Sequence, residues 1–439
     1  MRLPPRLASW PARALLVTAI VALAGGAVAG YGIWTGSAAA GHDHGAMGHE
    51  SHHGPAPWLA LVEYERRNSE AGGHGHGHGG HGEHGASGTY RPRASVVGLF
   101  AYDGPPDAQG FLDRCGTDAN CLLPLLDRLL LARGSEAAFS MLDELAKLHP
   151  EVKRQDHLMA HELGRKALEA YGTIEETLAT CSYKVFQGCL HGSLQAYFES
   201  AGVDFAKLPG LCPTDNAFRA YACWHGVGHG LMLAYDFDLE ASLRACDALP
   251  RDVDRSNCHG GAFMENVVSY FHSLGPNAND HGHDLANVSF YVDRDRPHYP
   301  CDVSPRKSQP ACWRLQTSLI LYHNGYDYED AANQCGLAPK EHVATCFNSL
   351  GRDTAARMPN DIPRASSICA LAPTEDARAM CVSGFIATII LDHADPNAAL
   401  PRCAQFEGDD QRACYERMGE LGANMICLLY TSPSPRDRG

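Results

Sequence analysis

Cys223-Trp-His-Gly-Val-Gly-His229-Gly230 sets His225 and His229 four residues apart. In a helix that spacing puts both imidazoles on one face. Stepping back 34 residues from His225 reaches His191, in Cys189-Leu-His-Gly, and a further 34 reaches His157. The same step forward reaches His259, in Cys258-His-Gly-Gly. His161 stands two periods before His229. A fixed period of this length is the signature of stacked supersecondary units. The histidines should therefore line up in space.

Outward from this stretch the units share one pattern. A helix-capping residue is followed eight positions later by Cys, and a second Cys comes six to twelve positions after that. The capping residues are Asp107, Thr173, Asp204, Asp238, Asp293, Asp327, Asp361 and Asp395. The cysteines that follow them, in the same order, are Cys115 with Cys121, Cys181 with Cys189, Cys212 with Cys223, and Cys246 with Cys258. The series continues as Cys301 with Cys312, Cys335 with Cys346, Cys369 with Cys381, and Cys403 with Cys414. A ninth unit without cysteine fits between Ser135 and Tyr171 and contains His157 and His161. The Asp or Thr side chain caps a first helix that runs two turns to the first Cys. A turn follows, and the second Cys opens an apolar second helix. A disulfide inside the unit staples the two, worth roughly 3 kcal/mol in the chain-entropy account. One such hairpin cannot bury its apolar face alone, so the units must stack. The expected fold is all-α: a disulfide-stapled helical-hairpin solenoid over 95–426, of about nine units with a period near 34 residues.

The period and the two-helix content resemble Sel1-like and tetratricopeptide repeats, the secreted cysteine-rich Sel1-like proteins above all. The resemblance covers the architecture of about 100–420 and implies no ligand, so function must be read from the site.

The 17 cysteines among 439 residues fit an oxidising compartment, and their spacing is not that of zinc ribbons. The odd one is Cys427. The stretch from Cys427 to Asp437 looks like a translated sequencing adapter, which sets 427–439 aside as non-native. At the other end Arg2, Arg6 and Arg13 precede an apolar run from Ala14 to Trp34 and then Ala38-Ala39-Ala40. Residues 1–40 read as a signal peptide or a membrane anchor, with the anchor favoured by length. The body would then lie on the periplasmic or extracellular side, with the membrane touched by this helix only.

Residues 41–94 are rich in Gly, Ser and His and cannot bury a core. His42, His44, His49, His52 and His53 form one cluster, and His74, His76, His78, His81 and His84 a second. Such tracts read as low-affinity metal-binding arms, the alternative being a solvated linker. The net charge of −15 argues against nucleic acid or anionic lipid as partner.

Neutral imidazole is the metal-ligating form. The expected ligands are His157, His161, His191, His225, His229 and His259, enough to supply three to each of two ions. Glu162 and Glu265 are candidate carboxylate ligands or bases. A long insertion after Cys258, at 275–292, reads as a lid that adds His281 and His283. With the cysteines oxidised, imidazole and carboxylate suit copper or zinc first, then iron or nickel. Gly192, Gly226, Gly228, Gly230, Gly260 and Gly261 would open a trough or let backbones approach closely.

Three readings remain open from the sequence. One is a metal carrier, sensor or metalloenzyme. The second is a protein-binding scaffold, engaging another exported or membrane protein, whose histidines bond neighbouring carbonyls. The third is haem or oxidative chemistry, although no C-x-x-C-H motif is present. The position two after the second Cys is Arg314, Asn348, Ser383 and Glu416 in the later units, so the scaffold does not require His there.

Overall fold

The computed structural model describes residues 91–213, 216–274, 279–280 and 283–431. The N-terminal segment, both histidine clusters of the arm, His281 and the end from 432 lie outside the described residues. Near the expected boundary the chain is already tied to the body: the Arg93 and Val96 amides donate to the carbonyls of Gly172 and Ala170, each at 2.9 Å.

The described body is all-α apart from a two-residue antiparallel pairing of Asn279–Asp280 with His283–Asp284. Helices α1 (Ala108–Cys115) and α2 (Ala119–Arg133) form the first hairpin. The cysteine-free unit is α3 (Ser135–Leu148) and α4 (Pro150–Tyr171). Then come α5 (Ile174–Thr180) with α6 (Lys184–Ala201), α7 (Ala217–Ala234), and α8 (Leu239–Cys246) with α9 (Asp252–Ser273). The second half contains α10 (Gln309–Trp313), α11 (Gln316–His323), α12 (Tyr328–Gly336), α13 (Val343–Arg357), α14 (Ile362–Cys369), α15 (Glu375–His393), α16 (Leu400–Cys403) and α17 (Gly408–Thr431).

Eight disulfides pair the cysteines within their units, as the spacing implied. In the first half they join Cys115 to Cys121, Cys181 to Cys189, Cys212 to Cys223, and Cys246 to Cys258. In the second half they join Cys301 to Cys312, Cys335 to Cys346, Cys369 to Cys381, and Cys403 to Cys414. Asp107, Thr173, Asp238, Asp327 and Asp361 cap their helices through the side-chain oxygen. The first cysteine closes the helix in these units: Cys181 is the C-cap of α5, and Cys335 sits in the last turn of α12.

Two units depart from the expected pattern. Neither Cys212 nor Cys301 ends a first α-helix, although each keeps its disulfide. After Asp204 and after Asp293 the chain runs in turns, with a short 3-10 segment at Leu208–Gly210 in the first. Pro209 there, and Pro297 and Pro300 in the second, lack the amide that a helix interior needs.

The array curls back on itself. Lys153 on α4 holds Asp392 at the end of α15 at 2.6 Å, and Gln187 on α6 donates to the Leu391 carbonyl at 3.0 Å. Asn216, the cap of α7, donates to the Asn424 carbonyl of α17 at 3.2 Å. The last helices thus pack on the histidine-bearing ones and leave a cavity between. Among the described residues no helix is long and apolar enough to cross a membrane.

Candidate metal centre

His157 and His161 come from α4, His191 from α6, and His225 and His229 from α7. Glycine brings these helices close enough to share a site. A Cβ on Gly192 of α6 would stand 1.9 Å from the His161 carbonyl oxygen of α4. Any side chain at 192 would force the two backbones apart. The same device recurs in the later half. A Cβ on Gly351 of α13 would stand 1.8 Å from the Cys381 carbonyl oxygen of α15. Close glycine packing therefore belongs to the fold, and histidine is what the first half adds to it.

Five of the ladder histidines converge. Ring centroids of His161 and His191 lie 5.4 Å apart, His191 and His225 5.2 Å, and His191 and His229 4.8 Å. Two triads can each close on an ion: His157, His161 and His191, and His191, His225 and His229. In each, one ligand atom per residue lies within 4.8 Å of the others. His191 belongs to both.

Hydrogen bonds around the cluster set the tautomers. Glu265 of α9 sits 2.6 Å from His229 Nδ1, which donates to it. The same carboxylate accepts from Gln195 Nε2 at 3.0 Å and from Ser269 Oγ at 2.6 Å. With its amide nitrogen so engaged, Gln195 turns Oε1 to His161 Nδ1 at 3.1 Å. One carboxylate thus orients two imidazoles, and in the neutral ring each keeps its lone pair on Nε2. The Nε2 atom of His229 is buried and has no partner. Both nitrogens of His191 are likewise buried and unpartnered, as is His157 Nδ1.

Burial is the first cause that holds His157, His191 and His225 neutral. It pushes His157 down to about 4, with repulsion from His229 next. His191 and His225 are driven well below the usual imidazole range by burial and then by the neighbouring imidazoles, His229 foremost. The second Cys does not open its helix as expected: Cys223 and Cys258 each lie well inside theirs, so His225 and His259 sit in mid-helix. His191 follows a left-handed turn at Val185, Phe186 and Gln187, whose φ values are 51°, 51° and 58°. Such backbone is costly for branched and aromatic residues and clusters near functional sites.

His259 is not in the cluster. Its Nε2 meets Asp247 Oδ1 at 3.1 Å, and Asp247 also holds Lys307 at 2.6 Å. Register explains the departure. Cys223 to His225 is two residues, but Cys258 to His259 is one, so the counterpart of His225 in α9 is Gly260. A Cβ on Gly260 would indeed stand 3.4 Å from His225 Nδ1. Glu265 supports His229 through Nδ1, the nitrogen turned away from the cluster. Glu162 lies in α4 beyond both triads. The backbone of His283 lies in the two-residue pairing. From the insertion, Tyr291 is clamped to α9 by two hydrogen bonds with Asn266, at 2.9 and 3.1 Å. Gln195 was absent from the expected site. Its signal was the period itself, since Gln195 lies 34 residues before His229 and 34 after His161.

The Asn348 side chain, at the position equivalent to His191 and His225, donates to the Met380 carbonyl at 3.0 Å. That is the bond a purely structural residue makes here, and the His191 ring makes none. A cavity of about 580 Å³ adjoins the cluster at His225 and Tyr221, with Arg314, Asn348, Arg352 and Arg417 on its wall. The second-Cys-plus-two residues of six successive units, from His225 to Glu416, all line it.

Compared with known proteins, the chain matches no protein-family model, no curated protein and no solved structure. Of the expected resemblance, the helical, disulfide-bridged architecture is what the structure shows, and no family confirms a Sel1-like or tetratricopeptide identity.

Proposed function

We propose that this is a metal-handling protein of an oxidising compartment. Its folded body holds a transition metal, copper or zinc in first place and iron next, on the buried histidine cluster. Its His-rich arm collects metal at low affinity. The observation that carries the reading is the set of buried, unpartnered ring nitrogens at the centre of the cluster: both of His191, and Nε2 of His229 behind its Glu265 bond. Unsatisfied buried polar atoms are costly, and a cation gives a ring lone pair the partner that no protein group supplies here. The disulfides fit the periplasmic or extracellular side, and anchoring by residues 1–40 belongs to the same proposal.

The test uses the full chain with the ten arm histidines replaced by serine. Metal per chain is measured by elemental analysis after dialysis against a weak chelator. His191→Ala is expected to empty the body, because His191 serves both triads. His342→Ala and His393→Ala are expected to leave the content unchanged, since these rings face Gln309 and Asp143. A metal-free parent chain would overturn the reading.

The cavity favours a second reading, a metalloenzyme. His225 borders it, so an ion there could meet a small molecule, and Arg314 and Arg417 suit a carboxylate or phosphate. Metal-dependent turnover lost on Arg314→Ala with metal content intact would support it. Metal without turnover leaves a carrier or sensor.

A further inference from the structure

The two triads share a residue whose ring nitrogens are both buried and both unpartnered. A neutral imidazole has one N–H and one lone pair, and in a dry interior each needs a partner. The surrounding rings have one nitrogen each to give. His161 and His229 spend Nδ1 on the Gln195 and Glu265 network. His157 and His225 are each held by a neighbouring backbone carbonyl, Val185 and Asn257 respectively. Four imidazoles therefore offer one ligand atom apiece, two on α4 and two on α7, with His191 between them on α6.

We infer that His191 bridges a two-ion centre, one ring nitrogen bound to an ion held by His157 and His161 and the other to an ion held by His225 and His229. The inference rests on the metal-binding reading above and extends it to two coupled ions. Each ion receives three imidazoles, which leaves a tetrahedral metal one open position. His225 borders the cavity, so a small molecule there would approach the ion on its side. Bridging needs both nitrogens of His191 as lone-pair donors. Its N–H bond breaks as the second ion binds, the pair stays on nitrogen to form the metal bond, and the proton passes to solvent. Two cations are what stabilise the resulting imidazolate in a buried site.

Alternatives are a single ion with all five rings around it, and two independent ions with no bridge. Cu(II) separates them. The full chain with its ten arm histidines replaced by serine is loaded with Cu(II) and dialysed against a weak chelator. Copper per chain and the spin count by electron paramagnetic resonance are then measured together. Two coppers with a spin count well below two are expected, because an imidazolate bridge couples the two unpaired electrons antiferromagnetically. His161→Ala and His229→Ala should each retain one copper with one full spin. His191→Ala should retain less than one.

One copper in the parent chain, or two with two full spins, overturns the bridge and leaves the metal-binding reading standing. No copper in the parent chain overturns both. Circular dichroism checks folding of each variant. If His191→Ala does not fold, the parent spin count and the two one-sided variants still decide.

Discussion

Gly192→Ala tests whether backbone contact sets the spacing of the histidines. The new Cβ would stand 1.9 Å from the His161 carbonyl oxygen and 2.9 Å from the His161 Cα. Carbon–oxygen contacts settle near about 3.3 Å, so α4 and α6 must part by about 1.4 Å. Metal–ligand distances tolerate roughly 0.2 Å, several times less than that displacement. The His157–His161–His191 triad spans α4 and α6 and is expected to lose its ion. The His225–His229 side uses a different helix pair and should retain its ion more firmly. Overpacking should lower stability by about 1–3 kcal/mol. The assay is metal per chain beside thermal unfolding of the metal-free protein.

Gly351→Ala is the matched control. It meets the same kind of backbone contact, 1.8 Å from the Cys381 carbonyl oxygen, in the half without the cluster. It should cost comparable stability and leave metal content intact. Gly336→Ala, at an exposed helix end with open space around it, should change neither. Full metal content in Gly192→Ala, with an unchanged melting temperature, would refute the argument.

Three further outcomes are expected. Glu265→Gln removes the charge behind His229 and should weaken metal binding by about 10–100-fold in a chelator competition, with the fold retained; a change under twofold would contradict the network. Alkylation of the denatured, unreduced protein should find no free thiol among the sixteen paired cysteines, and reduction should lower the melting temperature by far more than loss of one bridge. Burial raises the Asp127 carboxyl from 3.8 to about 6, against the weaker pull of Lys166. The folded state then holds this proton more tightly than the unfolded chain. Its stability contribution is therefore best below about pH 4 and declines as pH rises to about 6. Asp127→Asn should stabilise the protein at pH 7 by about 1–3 kcal/mol, less where solvent screens the charge, and the gain should vanish near pH 4. A constant difference across that range, read from denaturant unfolding, would show that burial of the charge is not its source.

The sequence by itself determined the staples and most of the caps. Both are local: a disulfide spans at most 12 residues here, and a capping side chain reaches its own first turn. It also showed four histidines at one interval and the i, i+4 pairs, because helical periodicity is written directly into the chain. Tertiary structure decided which of them meet. An interval counted along the chain equals a position in space only while every unit has the same length. The loop before Cys258 is one residue longer than that before Cys223, and this turns His259 away and brings Gly260 to face His225. The role of Gln195 and Glu265 likewise needed four helices in place, since their hydrogen bonds join residues 34 to 70 apart. Closure of the array, with α15 and α17 returning to α4, α6 and the start of α7, left no periodic mark. It rests on ion pairs and single hydrogen bonds such as Lys153–Asp392 and Gln187–Leu391, between residues more than 200 positions apart, whose matching only the accumulated curvature of the stacked units could arrange.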